Sequence, residues 1–282
     1  MSVENVEKIP HVVIEPKKGW QIINFKELRE YGDLFRLMIL RDITVQYKQT
    51  ALGFSWAIIN PLFTMVVFSI IFGSRGLGPA GMPYKLFSLS ALVPWTYFNQ
   101  AVTNSTNSLI TQSNILTKVY FPRLIIPLTP VIAKLSDFAI GMGIMIIFMI
   151  VYRNDFTINT NILYFPFLTL LMIITASGIG MWLSAMAIQY RDVKFAITFM
   201  IQIMMYAAPI IWSTEKISHQ YRILYGLYPL AGIIEGFRAC LIGNPVQMPW
   251  DLIIPGTIVS ILLFITGGLY FKRMEKVFAD VV

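Results

Sequence analysis

The chain has 282 residues, 56% of them apolar and only 13% charged, against roughly 45–50% and 25% in soluble domains. So little charge cannot cover a soluble globule, and so much apolar side chain excludes disorder and low-complexity fibres. The net charge of +7 comes mostly from lysines and arginines beside apolar stretches, a signal of membrane orientation and not of nucleic-acid binding.

Residues 1–24 mix Val and Ile with Glu, Lys and Pro without a clean period and read as an irregular N-terminal stretch. Over 25–48 the pattern becomes amphipathic. Leu28, Tyr31, Phe35, Met38 and Ile39 recur at steps of three and four, while Lys26, Glu27, Arg29, Glu30, Asp33 and Arg36 take the other face. That predicts a helix lying in the headgroup layer. A spanning helix needs about 20 apolar residues, and six stretches qualify: 51–73, 86–109, 124–152, 162–188, 195–212 and 252–271. The first begins too late and runs too long for a cleavable signal. The expected fold is therefore an all-α integral membrane protein, with a six-span domain over 51–271 and a tail of 272–282.

Six spans put both termini on one side. Fifteen lysines and arginines fall on that side, eight of them before the first span, then Lys118, Arg123, Arg191, Lys194, Lys272, Arg273 and Lys276. The opposite loops hold six: Arg75, Lys85, Arg153, Lys216, Arg222 and Arg238. The excess predicts that both termini are cytoplasmic.

Several spans carry polar groups that hydrocarbon cannot satisfy. The second runs into a stretch from 103 to 114 that is dense in amides and hydroxyls and carries no formal charge. It is either a solvated continuation of the helix or the lining of a wet cavity. Trp95, Asn99, Thr103 and Asn107 follow at four-residue steps and share one helical face. The first span repeats the theme with Trp56, Asn60 and Thr64, Phe63 lying alongside, and the fifth with Thr198, Gln202 and Tyr206. Such faces suit sugars, which offer hydroxyls and flat ring faces, although an aromatic belt at the membrane interface accounts for the rings equally well. Ala176, Gly180 and Ser184 in the fourth span, and Gly256 and Ser260 in the sixth, are spaced for close helix contact. Lys134 and Asp137, three apart in the third span, read as a structural pair and not as a proton relay.

No GxxxxGK[ST] phosphate loop, nucleophile elbow, HExxH motif or carboxylate pair occurs. One cysteine, Cys240, and two distant histidines, His11 and His219, offer no metal site. The chain is expected not to be an enzyme by itself and to need no cofactor of its own; any ATP is bound by another chain.

The stretch from Arg41-Asp42 through Tyr47-Lys48-Gln49-Thr50-Ala51-Leu52-Gly53 and Trp56 to Asn60-Pro61-Leu62 resembles the start of the first span in the permease subunits of ABC-2 type polysaccharide exporters. These export O-antigen, capsule and teichoic acid. Phe121-Pro122-Arg123 with Pro127, Tyr190-Arg191-Asp192-Val193, and Tyr228-Pro229-Leu230 through Glu235-Gly236-Phe237-Arg238 to Gly243 agree with the same pattern. The resemblance implies a homodimer carrying two copies of a separate ATPase, which would bind ATP and Mg, in the bacterial inner membrane. The substrate would be a polyprenyl-diphosphate-linked glycan. By the same resemblance the amphipathic helix lies beside the ATPase, and loop 111–124, with Ile115, Lys118, Tyr120 and Arg123, forms a coupling helix. Residues 219–242 become short re-entrant helices on the outer side, between spans five and six. The substrate path is assigned to Trp56, Asn60, Phe63, Trp95, Asn99, Thr103, Asn107, Gln202 and Tyr206. An ABC-2 permease for a drug, heme or lipid is the alternative, followed by a gated channel; a membrane glycosyltransferase lacks its catalytic carboxylates.

Overall fold

The computed structural model describes residues 29–48, 53, 55–73, 83–113, 120–152, 160–190, 192–242, 247–275 and 278. Among them every regular element is a helix. The amphipathic segment forms α1 (Gly32–Lys48), and the apolar face expected for it is the face it buries: Tyr31, Phe35 and Met38 pack into one apolar cluster with Phe121, Leu124 and Phe271. Gly53 follows with φ of 46°, a left-handed backbone open to glycine without a Cβ penalty. The chain there turns from α1 into α2 (Ser55–Phe72).

The central element is α3 (Tyr84–Thr111), which touches α2, the third-span helices, α6, α7 and α9 as these are defined below. The third span, expected as one helix over 124–152, is two helices in series, α4 (Ile125–Ala133) and α5 (Leu135–Val151), meeting at Lys134. Pro130 contributes no N–H to the ladder, yet Lys134 N–H still reaches the Pro130 carbonyl at 3.0 Å and the axis continues. A 3₁₀ turn (Thr160–Tyr164) leads into α6 (Phe165–Gln189). The fifth apolar stretch forms α7 (Val193–Ala207) and stops short of the expected Trp212. Ala208, which precedes Pro209, is forced to extended backbone at ψ 148°. Two short helices follow, α8 (His219–Gly226) and α9 (Pro229–Leu241), and then α10 (Trp250–Met274). The short pair lies where re-entrant helices were expected.

Among the described residues, four helical tracts are long and apolar enough to cross a membrane: Ser55–Phe72, Ile125–Val151, Thr160–Gln189 and Trp250–Met274. The protein is thus a multi-pass membrane protein. The two remaining expected spans differ from these in opposite ways. With 28 residues, α3 is about 42 Å long, but its C-terminal half is polar. With 15 residues, α7 is apolar but reaches only about 22 Å, short of the roughly 30 Å hydrocarbon core.

The polar run of α3 is divided: Asn104 and Thr111 are exposed, Thr103 and Asn107 half-buried, and the hydroxyls between them face other helices. Ser105, Thr106 and Ser108 are buried, and their hydroxyls donate to the carbonyls of Pro127 (2.7 Å), Val102 (2.8 Å) and Ser105 (2.7 Å). A hydroxyl that returns its proton to a nearby carbonyl can be buried among helices at little cost. The small residues serve several neighbours. Gly180 faces Ser105 of α3, Gly256 faces Pro229, and Ser260 bonds Thr175 of α6 at 2.8 Å. α6 and α10 approach closely through paired glycines: a Cβ on Gly267 would meet the Gly178 carbonyl oxygen, and one on Gly178 would lie 2.7 Å from the Leu263 carbonyl carbon.

Candidate functional site

Helix starts and ends, more than the spans themselves, decide where functional side chains meet. The C-terminal turn of α1 lies against the α4–α5 junction, where Lys134 and Asp137 form an ion pair at 3.1 Å. Gln46 closes this pair into a ring: its Oε1 accepts from Lys134 Nζ at 2.8 Å, and its Nε2 donates to both Asp137 oxygens at 2.9 Å. Tyr47 donates its hydroxyl to the same carboxylate. Burial first, and the bond to Asp137 second, push the Tyr47 phenol up to about 12, so it remains a donor at neutral pH. The structural pairing expected for Lys134 and Asp137 is what the geometry shows, with two further residues attached.

At the same basic end, Arg123 was expected to face a partner ATPase. Within this chain its Nη1 donates to the Glu275 carbonyl at 3.0 Å, and its guanidinium lies 6.0 Å from the ring centre of the buried Phe278. Arg123 therefore fastens the C-terminal end of α10 to the start of α4. Tyr120 beside it is exposed. Ile115 and Lys118 lie outside the described residues, as does Arg191, while its neighbour Asp192 is exposed at the start of α7.

At the N-terminal end of α3, Arg238 of α9 is fully buried. Its Nη1 is 2.7 Å from Glu235, its Nη2 donates to the Pro209 carbonyl at 2.8 Å, and its guanidinium carbon is 3.8 Å from the centre of the Phe87 ring. Glu235 in turn accepts the Thr214 N–H at 3.1 Å. This clamp joins α9, the segment after α7 and the first turns of α3. Arg238 is a structural charge and not a loop charge, so the loop asymmetry is steeper than fifteen to six. Pro229 opens α9 and is buried.

The residues assigned to the path divide into two groups. Trp56, Asn60 and Phe63 on α2, and Gln202 and Tyr206 on α7, are exposed on the single chain. Those two helices bury little: Pro61 and Met65 on α2, Ile197 and Ile201 on α7. On α3, Trp95 is only 3% exposed and packs on Phe98. Asn99, Thr103 and Asn107 are half-buried and bonded along their own helix, Thr103 to Asn99 at 3.3 Å and Asn107 to the Thr103 carbonyl at 2.9 Å. A cleft between α2, α3 and α5 brings Trp56 and Asn60 together with Gln100 and Asp137. The Gln100 Oε1 is buried there without a hydrogen-bond partner.

Residues 33–242 match the family described as ABC-2 type transporter. The chain belongs to that family. Across 255 residues it is 26% identical to an O-antigen export system permease protein, RfbA, of Klebsiella pneumoniae, with 89% of this chain and 96% of that protein covered. It is 21% identical over 254 residues to the RfbA of Myxococcus xanthus, again at 89% and 96% coverage. The polysialic acid transport protein KpsM of Escherichia coli is 22% identical over 244 residues, covering 84% of this chain and 92% of that one.

In this ABC-2 chain several residues of the stretches that carried the resemblance have visible structural work. Arg41 pairs with Asp42 at 2.8 Å, Tyr47 joins the ring, Gly53 makes the turn, Pro61 is buried, and Glu235 with Arg238 forms the clamp. Gln46, Gln100 and Phe278 were not picked out from sequence. Gln46 adjoins Tyr47 inside the motif stretch and Gln100 adjoins Asn99, so neighbourhood was the available signal; nothing marked Phe278.

Proposed function

We propose that this chain is the membrane-spanning subunit of an ATP-driven exporter of a lipid-linked polysaccharide. In this reading two copies pair in the bacterial inner membrane, both termini are cytoplasmic, and each copy carries one separate ATPase subunit, to which ATP and Mg bind. The observation that carries it is the pair of loosely attached helices, α2 and α7, whose exposed faces present Trp56, Asn60 and Phe63, and Gln202 and Tyr206. Amides facing lipid are unfavourable, so these faces are better covered by a second copy or wetted by a conduit. A single bundle of this size encloses little space, whereas two copies about a two-fold axis can surround a chain of sugars.

The chemistry of the exposed residues fits a moving glycan. Asn60 and Gln202 exchange hydrogen bonds with water for hydrogen bonds with sugar hydroxyls, and Trp56, Phe63 and Tyr206 offer rings for sugar faces. Neutral groups hold a passing chain weakly enough to let it go, as in channels where binding must allow both entry and exit. The names of the relatives, O-antigen permeases and a polysialic acid transporter, support a glycan over a drug, heme or small lipid.

The test is a deletion strain. Loss of the chain should abolish surface polysaccharide and leave lipid-linked glycan accumulating on the cytoplasmic side, both restored by the intact gene, and an affinity-tagged copy should retain an ATPase in equal amount. Unchanged surface polysaccharide, with a drug, heme or lipid accumulating instead, would move the chain to the alternative substrate class.

A further inference from the structure

We propose that the ring of Gln46, Tyr47, Lys134 and Asp137 is the joint through which α1 and the transmembrane core move together during transport. The inference rests on the reading of the chain as an ATP-driven permease, because the motion transmitted would begin at the partner ATPase.

The rest of α1 is held by apolar packing, with Met38 buried and Tyr31, Leu34 and Phe35 partly buried against α4 and Phe271. Toward the first span, α1 ends at Lys48, and Gly53 before α2 has a left-handed backbone. What fixes the C-terminal turn of α1 is a set of side-chain bonds to residues 88 to 91 positions away. The Lys134 and Asp137 side chains are only 11% and 8% exposed, so each charge depends on the other and on the Gln46 amide, which is acceptor for one and donor to the other.

The position of Asp137 makes this a joint and not merely a tie. The same residue lines the cleft with Trp56, Asn60 and Gln100. A shift of α1 that pulled on Asp137 would therefore be felt at the first span, beside the side chains assigned to the glycan. Gln46 and Tyr47 do not line this cleft; they act as positioning residues, through Asp137.

The test uses the full chain in nanodiscs, with Cys240→Ala and nitroxide labels at Leu40 of α1 and Ile146 of α5, both exposed. The unaltered ring should give one narrow distance distribution. Asp137→Asn, which strands the Lys134 ammonium, should broaden it, and adding Lys134→Gln should narrow it again. Tyr47→Phe, which strands no charge, should broaden it less. In the complex with its ATPase, Asp137→Asn should lower glycan exported per ATP hydrolysed several-fold while the ATPase stays bound, and the double variant should recover part of that loss. An unchanged distribution in both Asp137→Asn and Tyr47→Phe would overturn the joint, as would a broadened one with export per ATP intact. If no ATPase binds the unaltered chain, the functional reading fails, while the label distances still decide whether the ring holds α1.

Discussion

The clamp around Arg238, at the N-terminal end of α3, and the ring around Asp137, at the C-terminal end of α1, bury charge in the same bundle with different materials. Arg238 is met by Glu235, by the Pro209 carbonyl and by the face of Phe87. A backbone carbonyl cannot turn away, so this end is set by the course of the chain. At the basic end, Lys134 and Asp137 are met by Gln46 and Tyr47, flexible side chains that can release one partner and take another. The first arrangement suits a fixed cap and the second a part that moves.

The comparison breaks most visibly at the clamp. Glu235→Ala should strand the buried Arg238 charge at a cost of about 3–5 kcal/mol. Most of the protein should then be lost from the monodisperse peak in detergent size-exclusion chromatography. The double variant Glu235→Leu with Arg238→Met removes both charges and should retain more folded protein than the single one; equal loss would show that the backbone contacts, and not the ion pair, dominate that end.

A smaller effect is expected at Arg123. Arg123→Ala removes a charged hydrogen bond to the Glu275 carbonyl and the contact with Phe278, about 1 kcal/mol at a half-buried site. Amide hydrogen exchange over 271–275 should accelerate while the rest of α10 keeps its protection. Unaltered exchange there would remove Arg123 from the account of the basic end.

The smallest perturbation identifies the ends without disturbing them. In a Cys240→Ala background, cysteines at Gly76 and Asn154 should react with an impermeant thiol reagent added outside intact cells, and cysteines at Ser2 and Ala279 should not. The reverse pattern would overturn the proposed cytoplasmic placement of both termini.

Much of the architecture was legible in the sequence because span finding needs only length and composition. The short helices between α7 and α10 were legible through motif residues such as Pro229. The division of the third span at Lys134 was not, since Pro130 and its neighbours are as apolar as a continuous helix. The polar run of α3 was open to two readings because sequence shows hydroxyls but not the carbonyls that take their protons. Trp95 shares a helical face with Asn99 by spacing, yet it is buried in the core while its neighbours on that face are half-exposed; periodicity gives a face but not what covers it. The ring escaped for a related reason, as Gln46 meets Asp137 across 91 positions, a distance over which single-sequence spacing carries no signal.

In the proposed function, the exposed faces of α2 and α7 carry a glycan through an ATP-driven exporter. It is tested most directly by reconstituting the permease with its ATPase in liposomes and following movement of a long lipid-linked glycan into a protected compartment. The account predicts ATP-dependent translocation by the unaltered complex. It also predicts translocation at least several-fold slower in an Asn60→Leu, Gln202→Leu variant that still assembles and hydrolyses ATP. Translocation by that variant at the unaltered rate, or none by the unaltered complex with ATP present, would contradict it.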